Sequence, residues 1–93
     1  MAFDSLAEIK LEVKKLIIDT LKFENVNPGD IKDDISFFSG ENTIKIDSID
    51  VIELVVSIQK KFDVKIDDQN LAKDVINTVD SIAGFVYKQH HKS

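Results

Sequence analysis

Apolar residues recur early in the chain at Leu6, Ile9, Val13, Leu16, Ile17 and Leu21, with spacings of 3, 4, 3, 1 and 4. This is one face of an amphipathic helix over about residues 4–21, with Asp4 or Ser5 as its N-cap and Glu8 in its first turn. Asn25-Val26-Asn27-Pro28-Gly29-Asp30 then stops it with the only proline of the chain. Residues 23–46 read as a long connection, with a short turn of helix expected near Ile31 to Phe38. A connection of that length inside a small domain is usually functional or partly structured.

The segment 48–62 is contested locally, because six of its first eleven residues are β-branched and propensity favours a strand. Alternation fails, however, at the adjacent pairs Val51-Ile52 and Val55-Val56, and fifteen residues are long for a strand. The pattern predicts a helix capped by Asp47, with Asp50 in the acidic first-turn position. At 100° per residue Asp50, Glu53, Ser57, Lys60 and Lys61 share an arc of roughly 100°, so a mostly buried helix with one narrow solvent face is expected.

A short extended connection, Asp63 to Asp68, leads to a brief helix at about 70–76. Thr78 then caps a last helix over about 79–88, with Ile82, Ala83, Phe85 and Val86 facing inward. Gly84 costs that helix about 1 kcal/mol relative to alanine, which argues for close packing there. The expected fold class is all-α: a single domain over 1–93 with three principal helices, a short third helix and a long first loop. A flexible tail is expected over 89–93.

Composition narrows the function. Seventeen acidic residues against twelve basic ones give a formal charge of −5, and every basic residue is lysine. Nucleic acid and anionic membranes are poor partners for such a surface. No cysteine is present, which removes disulfides, thiolate metal sites and a thiol nucleophile together. No purely apolar run exceeds three residues, so the expectation is no membrane insertion and a soluble, cytoplasmic monomer. The charge is unevenly distributed: residues 1–22 and 51–93 are each neutral, whereas 23–50 hold seven acids against Lys32 and Lys45, for −5. That acidic stretch ends at Asp47-Ser48-Ile49-Asp50.

Catalytic material is scarce. His90 and His91 sit at the C-terminus, and a calcium loop with Gly40 as its sixth residue would need an oxygen ligand at Ile35. The scattered glycines form no phosphate-binding loop, and no metal ligands are assigned. Ser48 is the exception: a hydroxyl at a helix N-terminus, where unpaired amides and the helix dipole favour an anion. From the residues alone, Asp-Ser-x-Asp is equally a good helix start.

The run Asp47-Ser48-Ile49-Asp50-Val51-Ile52-Glu53-Leu54-Val55, followed by Lys61-Phe62-Asp63-Val64-Lys65-Ile66-Asp67-Asp68, closely resembles the acyl carrier protein family. The resemblance extends over most of the chain. It implies that Ser48 is the attachment point for 4′-phosphopantetheine, transferred from coenzyme A by a phosphopantetheinyl transferase. The arm's thiol would carry an acyl group, giving a cysteine-free chain a borrowed sulfur. By the same resemblance, Asp47, Ile49, Asp50 and Glu53 would face partner enzymes that transfer, condense and modify acyl groups. Ile52, Val56, Phe62 and Ile66 would lie near a sheltered acyl chain, and the chain itself would not be an enzyme.

Four features depart from the family pattern. Ile49 stands for the usual leucine, Ile44-Lys45-Ile46 precedes Asp47, Asp67 replaces a proline, and Gln59-Lys60-Lys61 replaces a run of glutamates. Asp50 and Glu53 against Lys60 and Lys61 leave the second helix neutral, which points to a carrier with dedicated enzymes in fatty-acid or a specialised acyl, lipid or polyketide pathway. An aminoacyl or peptidyl carrier, such as a D-alanyl carrier, and an unmodified helical interaction module are the alternative readings.

Overall fold

A computed structural model describes residues 5–91. It is all-α, with α1 at Leu6–Leu21, α2 at Ser48–Phe62, α3 at Gln69–Val75 and α4 at Val79–His90. A 3₁₀ turn at Pro28–Asp30 interrupts the long α1–α2 loop. That turn precedes the position predicted near Ile31 to Phe38. Pro28 presets its first residue, the Asn27 amide donates to Asp30 Oδ2 at 3.0 Å, and the Asp30 amide donates to the Asn27 carbonyl at 2.9 Å.

Side chains set most of the helix starts. Ser5 accepts from the Glu8 amide at 3.1 Å, while the alternative cap Asp4 lies outside the described residues. Asp47, Asp68 and Thr78 cap α2, α3 and α4. Helices α1 and α2 end in the left-handed conformation without glycine, at Lys22 and Asp63, with φ 57° and 54°. Helix α4 runs two residues past its predicted end. His90, expected in a flexible tail, is its last residue, with its ring bonded to the Phe62 carbonyl at the end of α2. His91 stacks on Tyr87 at 4.2 Å between ring centroids, and Lys92 and Ser93 lie outside the described residues.

Helix α1 packs against both α4 and α2, and α3 bridges α2 and α4. The core joins Ile9, Val13 and Ile17 of α1 to Val51, Leu54, Ile58 and Phe62 of α2 and to Val79, Ile82 and Val86 of α4. Across the α1–α2 contact, the Thr20 hydroxyl donates to Ser57 Oγ at 3.1 Å.

The long loop is part of this core, because Ile31, Phe37, Ile44 and Ile46 are all buried. Its backbone is tied to the α3–α4 corner: the Phe37 amide donates to the Asn77 carbonyl at 2.9 Å, and the Asp80 amide to the Asp33 carbonyl at 2.9 Å. The Asn42 side chain gathers the loop on itself, accepting from the Lys32 amide at 3.0 Å and donating to the Ile35 carbonyl at 2.7 Å. Gly40 turns this segment with φ +81°, a region natural to glycine.

Two expectations are corrected. Helix α2 is not mostly buried: Ile49, Ile52 and Val56 are 70%, 65% and 46% exposed. Its buried stripe is the single row Val51-Leu54-Ile58-Phe62, and Ile49, Ile52 and Val56 lie off that row, where no element closes over them. Gly84 is not closely packed either, since a Cβ built there would meet nothing within 4 Å. Gly84→Ala is therefore expected to raise stability by about 1 kcal/mol, read as a higher urea midpoint at constant slope.

Part of the loop's acid excess is neutralised from α1. Lys10 bridges Asp80 at 2.8 Å and Asp33 at 3.8 Å, and Lys14 also pairs with Asp33. The Asp80 hydrogen bond leads the effects that raise Lys10 above its ordinary 10.5, aided by the charges of Asp80, Asp33 and Asp34 and opposed by desolvation. The folded protein thus holds this proton more tightly than the unfolded chain. The stabilisation is complete below 10.5 and fades as pH rises through the raised value of Lys10. Lys10→Met should cost up to about 1 kcal/mol near neutrality, as for a partly exposed pair, and denaturation curves should converge with wild type in strong alkali.

Candidate functional site

Ser48 is the first residue of α2 and is exposed. Its placement follows from the two acids around it: the Asp50 amide donates to Asp47 Oδ1 at 2.9 Å, and the Asp47 amide donates to Asp50 Oδ2 at 3.2 Å. This capping box fixes where the helix begins, and with it the position of the serine. It also commits one oxygen of each carboxylate to backbone. The helix N-terminus and its dipole face outward beside the Ser48 hydroxyl, a setting that tolerates a phosphate ester.

A groove of about 400 to 510 Å³ would be unremarkable alone, and three such depressions lie among the described residues. Two of them flank α1 and hold no hydroxyl side chain. The third, of about 510 Å³, runs between α2 and α3 and includes Ser48 in its lining. One wall is apolar, built from Val51, Ile52, Val55 and Val56 of α2 with Phe38 and Ile66. The facing wall carries Gln69, Asn70, Ala72 and Lys73 of α3. Ser48 thus stands at the N-terminal end of α2 beside a trough with one apolar wall.

Of the residues predicted to lie near an acyl chain, the structure brings Ile52, Val56 and Ile66 together in this groove. Phe62 is absent from it and fully buried, because it continues the core row of α2 instead of the groove-facing side. Asp47, Ile49 and Glu53 are exposed around the serine, and Asp50 is half-buried. Phe38, Val51 and Val55 are groove residues that sequence reasoning missed. Phe38 is 41% exposed, and its signal was an aromatic pair, Phe37-Phe38, inside a polar loop: one ring enters the core and its neighbour faces the groove. Among the described residues no group of three or more His, Cys, Asp or Glu could hold a metal ion. No described helix is long and apolar enough to cross a membrane.

Comparison with known proteins places this geometry. The family described as phosphopantetheine attachment site matches residues 12–86. An acyl carrier protein from Sulfurovum sp. (strain NBC37-1) is 33% identical over 75 residues, covering 81% of this chain and 89% of its own. Acyl carrier proteins from Wolinella succinogenes and Bdellovibrio bacteriovorus are each 31% identical, over 81% and 84% of this chain and 88% and 90% of theirs. Sequence, helical architecture and family match agree in extent, and the chain belongs to the acyl carrier protein family, non-catalytic carriers that bear a phosphopantetheine group.

Proposed function

We propose that Ser48 accepts the 4′-phosphopantetheine arm and that the chain carries acyl groups of a fatty-acid or specialised acyl pathway as thioesters. The observation that supports this most is the exposed Ser48 hydroxyl at the head of the α2–α3 groove. The residues present fit the group: the hydroxyl is accessible, the helix end favours a phosphate, and the trough beside it has one apolar wall. When bound, the arm supplies the thiol that this chain lacks.

The protein's own residues orient and shelter. The Asp47–Asp50 box holds the serine at the helix tip, and Ile52, Val56 and Ile66 offer apolar surface on which a straight acyl chain loses contact with water. Family membership implies a phosphopantetheinyl transferase and pathway enzymes as partners. Asp47, Ile49, Asp50 and Glu53 surround the serine, and we assign them to that contact. With Asp47 and Asp50 already bonded to backbone, Ile49 and Glu53 are the freer contributors.

Incubation with coenzyme A and a phosphopantetheinyl transferase is expected to add one pantetheinyl group to the wild type and none to Ser48→Ala, read by intact mass. An adduct on Ser48→Ala overturns the assignment. Charge near the far end of α2 bears on partner choice. Lys61 pairs with Glu12 at 3.1 Å, whereas Lys60 is exposed and has no ion-pair partner among the described residues. Lys60→Glu should raise acyl transfer by a fatty-acid enzyme with a basic docking face about threefold at low salt. High salt should erase the gain, and an equal rate at low salt would remove the explanation.

A further inference from the structure

The groove beside Ser48 is lined in part by the connector between α2 and α3, residues 63–68, through Ile66, Asp67 and Asp68. Asp63 opens this connector in the left-handed region at φ 54°, which an L side chain adopts reluctantly. Three residues later the backbone is tied back to α2: the Ile66 amide donates to Gln59 Oε1 at 2.7 Å. At 100° per residue, Ser48, Ile52, Val55 and Gln59 share an arc of roughly 60° on α2. Gln59 therefore stands on the groove-facing side, roughly 16 Å along the axis from Ser48. Ile66, held by its amide, is 5% exposed and lines the groove beyond Val56.

We infer that Gln59 is a positioning residue whose amide oxygen holds Ile66 as the end wall of the groove and so limits how far an acyl chain threads from Ser48. This rests on the acyl-shelter reading proposed above. Gln59 touches neither arm nor cargo and acts through Ile66. Methionine at this position keeps the length of the side chain but offers no comparable acceptor, leaving a half-buried amide unpaired. Glutamate keeps an oxygen in place.

Wild type, Gln59→Met and Gln59→Glu are loaded from acetyl- or octanoyl-coenzyme A by a phosphopantetheinyl transferase, and thioester cleavage by hydroxylamine is timed. Hydrogen exchange of the Ile66 amide is followed in the unloaded proteins. Octanoyl cleavage should be about fivefold faster in Gln59→Met, acetyl cleavage unchanged, Ile66 exchange faster, and Gln59→Glu close to wild type in each. A core truncation away from the groove, Val13→Ala, should leave octanoyl cleavage unchanged below its unfolding temperature; acceleration there would overturn the specific role. Equal octanoyl cleavage in wild type and Gln59→Met overturns the role of Gln59 while Ser48 loading still stands. A wild type that does not load, or that protects octanoyl no better than acetyl, overturns the reading beneath it as well. If Gln59→Met does not fold, wild-type exchange decides: Ile66 exchanging as fast as Lys65 overturns the inference, and slower exchange supports it.

Discussion

Two carboxylates and two backbone amides decide where α2 begins, and the arrangement of the groove follows from that start. Asp47 and Asp50 each accept the other's amide proton, so the helix cannot slide by a residue without losing both bonds. With that register set, the row Val51-Leu54-Ile58-Phe62 faces the core, and Ser48, Ile52 and Val55 turn toward α3. A one-residue shift would rotate every side chain by about 100° and bring the serine out of line with the groove.

The second requirement is a rigid platform under that start, and the long loop provides it. Ile31, Phe37, Ile44 and Ile46 bury themselves under the helices, while backbone bonds to Asn77 and from Asp80 tie the loop to the α3–α4 corner. Lys10 and Lys14 meet the acids that this packing brings together. The −5 charge of residues 23–50 is therefore divided by use. Asp33 is matched by α1, Asp30 and the Asp47–Asp50 pair serve as caps, and Glu53 joins the display around the serine from just beyond the stretch.

The helices were readable because their signals are local: Ser5, Asp47 and Thr78 announce the starts, and the 3.6-residue period outweighs the β-branched composition of α2. The loop's contribution to the core was not, because Ile31, Phe37, Ile44 and Ile46 are spaced by 6, 7 and 2 residues, a pattern with no regular period. The Pro-Gly pair at 28 and 29 reads as a stop, yet it also starts the 3₁₀ turn, since both roles use the same fixed φ. The width of the exposed face of α2 was hidden for another reason. Hydrophobicity marks Ile49, Ile52 and Val56 as core candidates, and only the tertiary arrangement shows that no helix covers them. Phe62 illustrates the reverse: near the groove in sequence, it belongs to the core row. The family resemblance singles out Ser48, whereas its place beside a groove depends on α3 and on the connector.

The bond from the His90 ring to the Phe62 carbonyl gives the bundle two unlike ends. At one end the terminal turns of α2 and α4 are clasped to each other, and at the other α2 starts in the open with its first hydroxyl facing solvent. The clasp joins α2 to α4 and leaves the α2–α3 groove outside it. The molecule thereby acquires a direction: the clasp and the open hydroxyl sit at opposite ends of α2, roughly 21 Å apart along its axis.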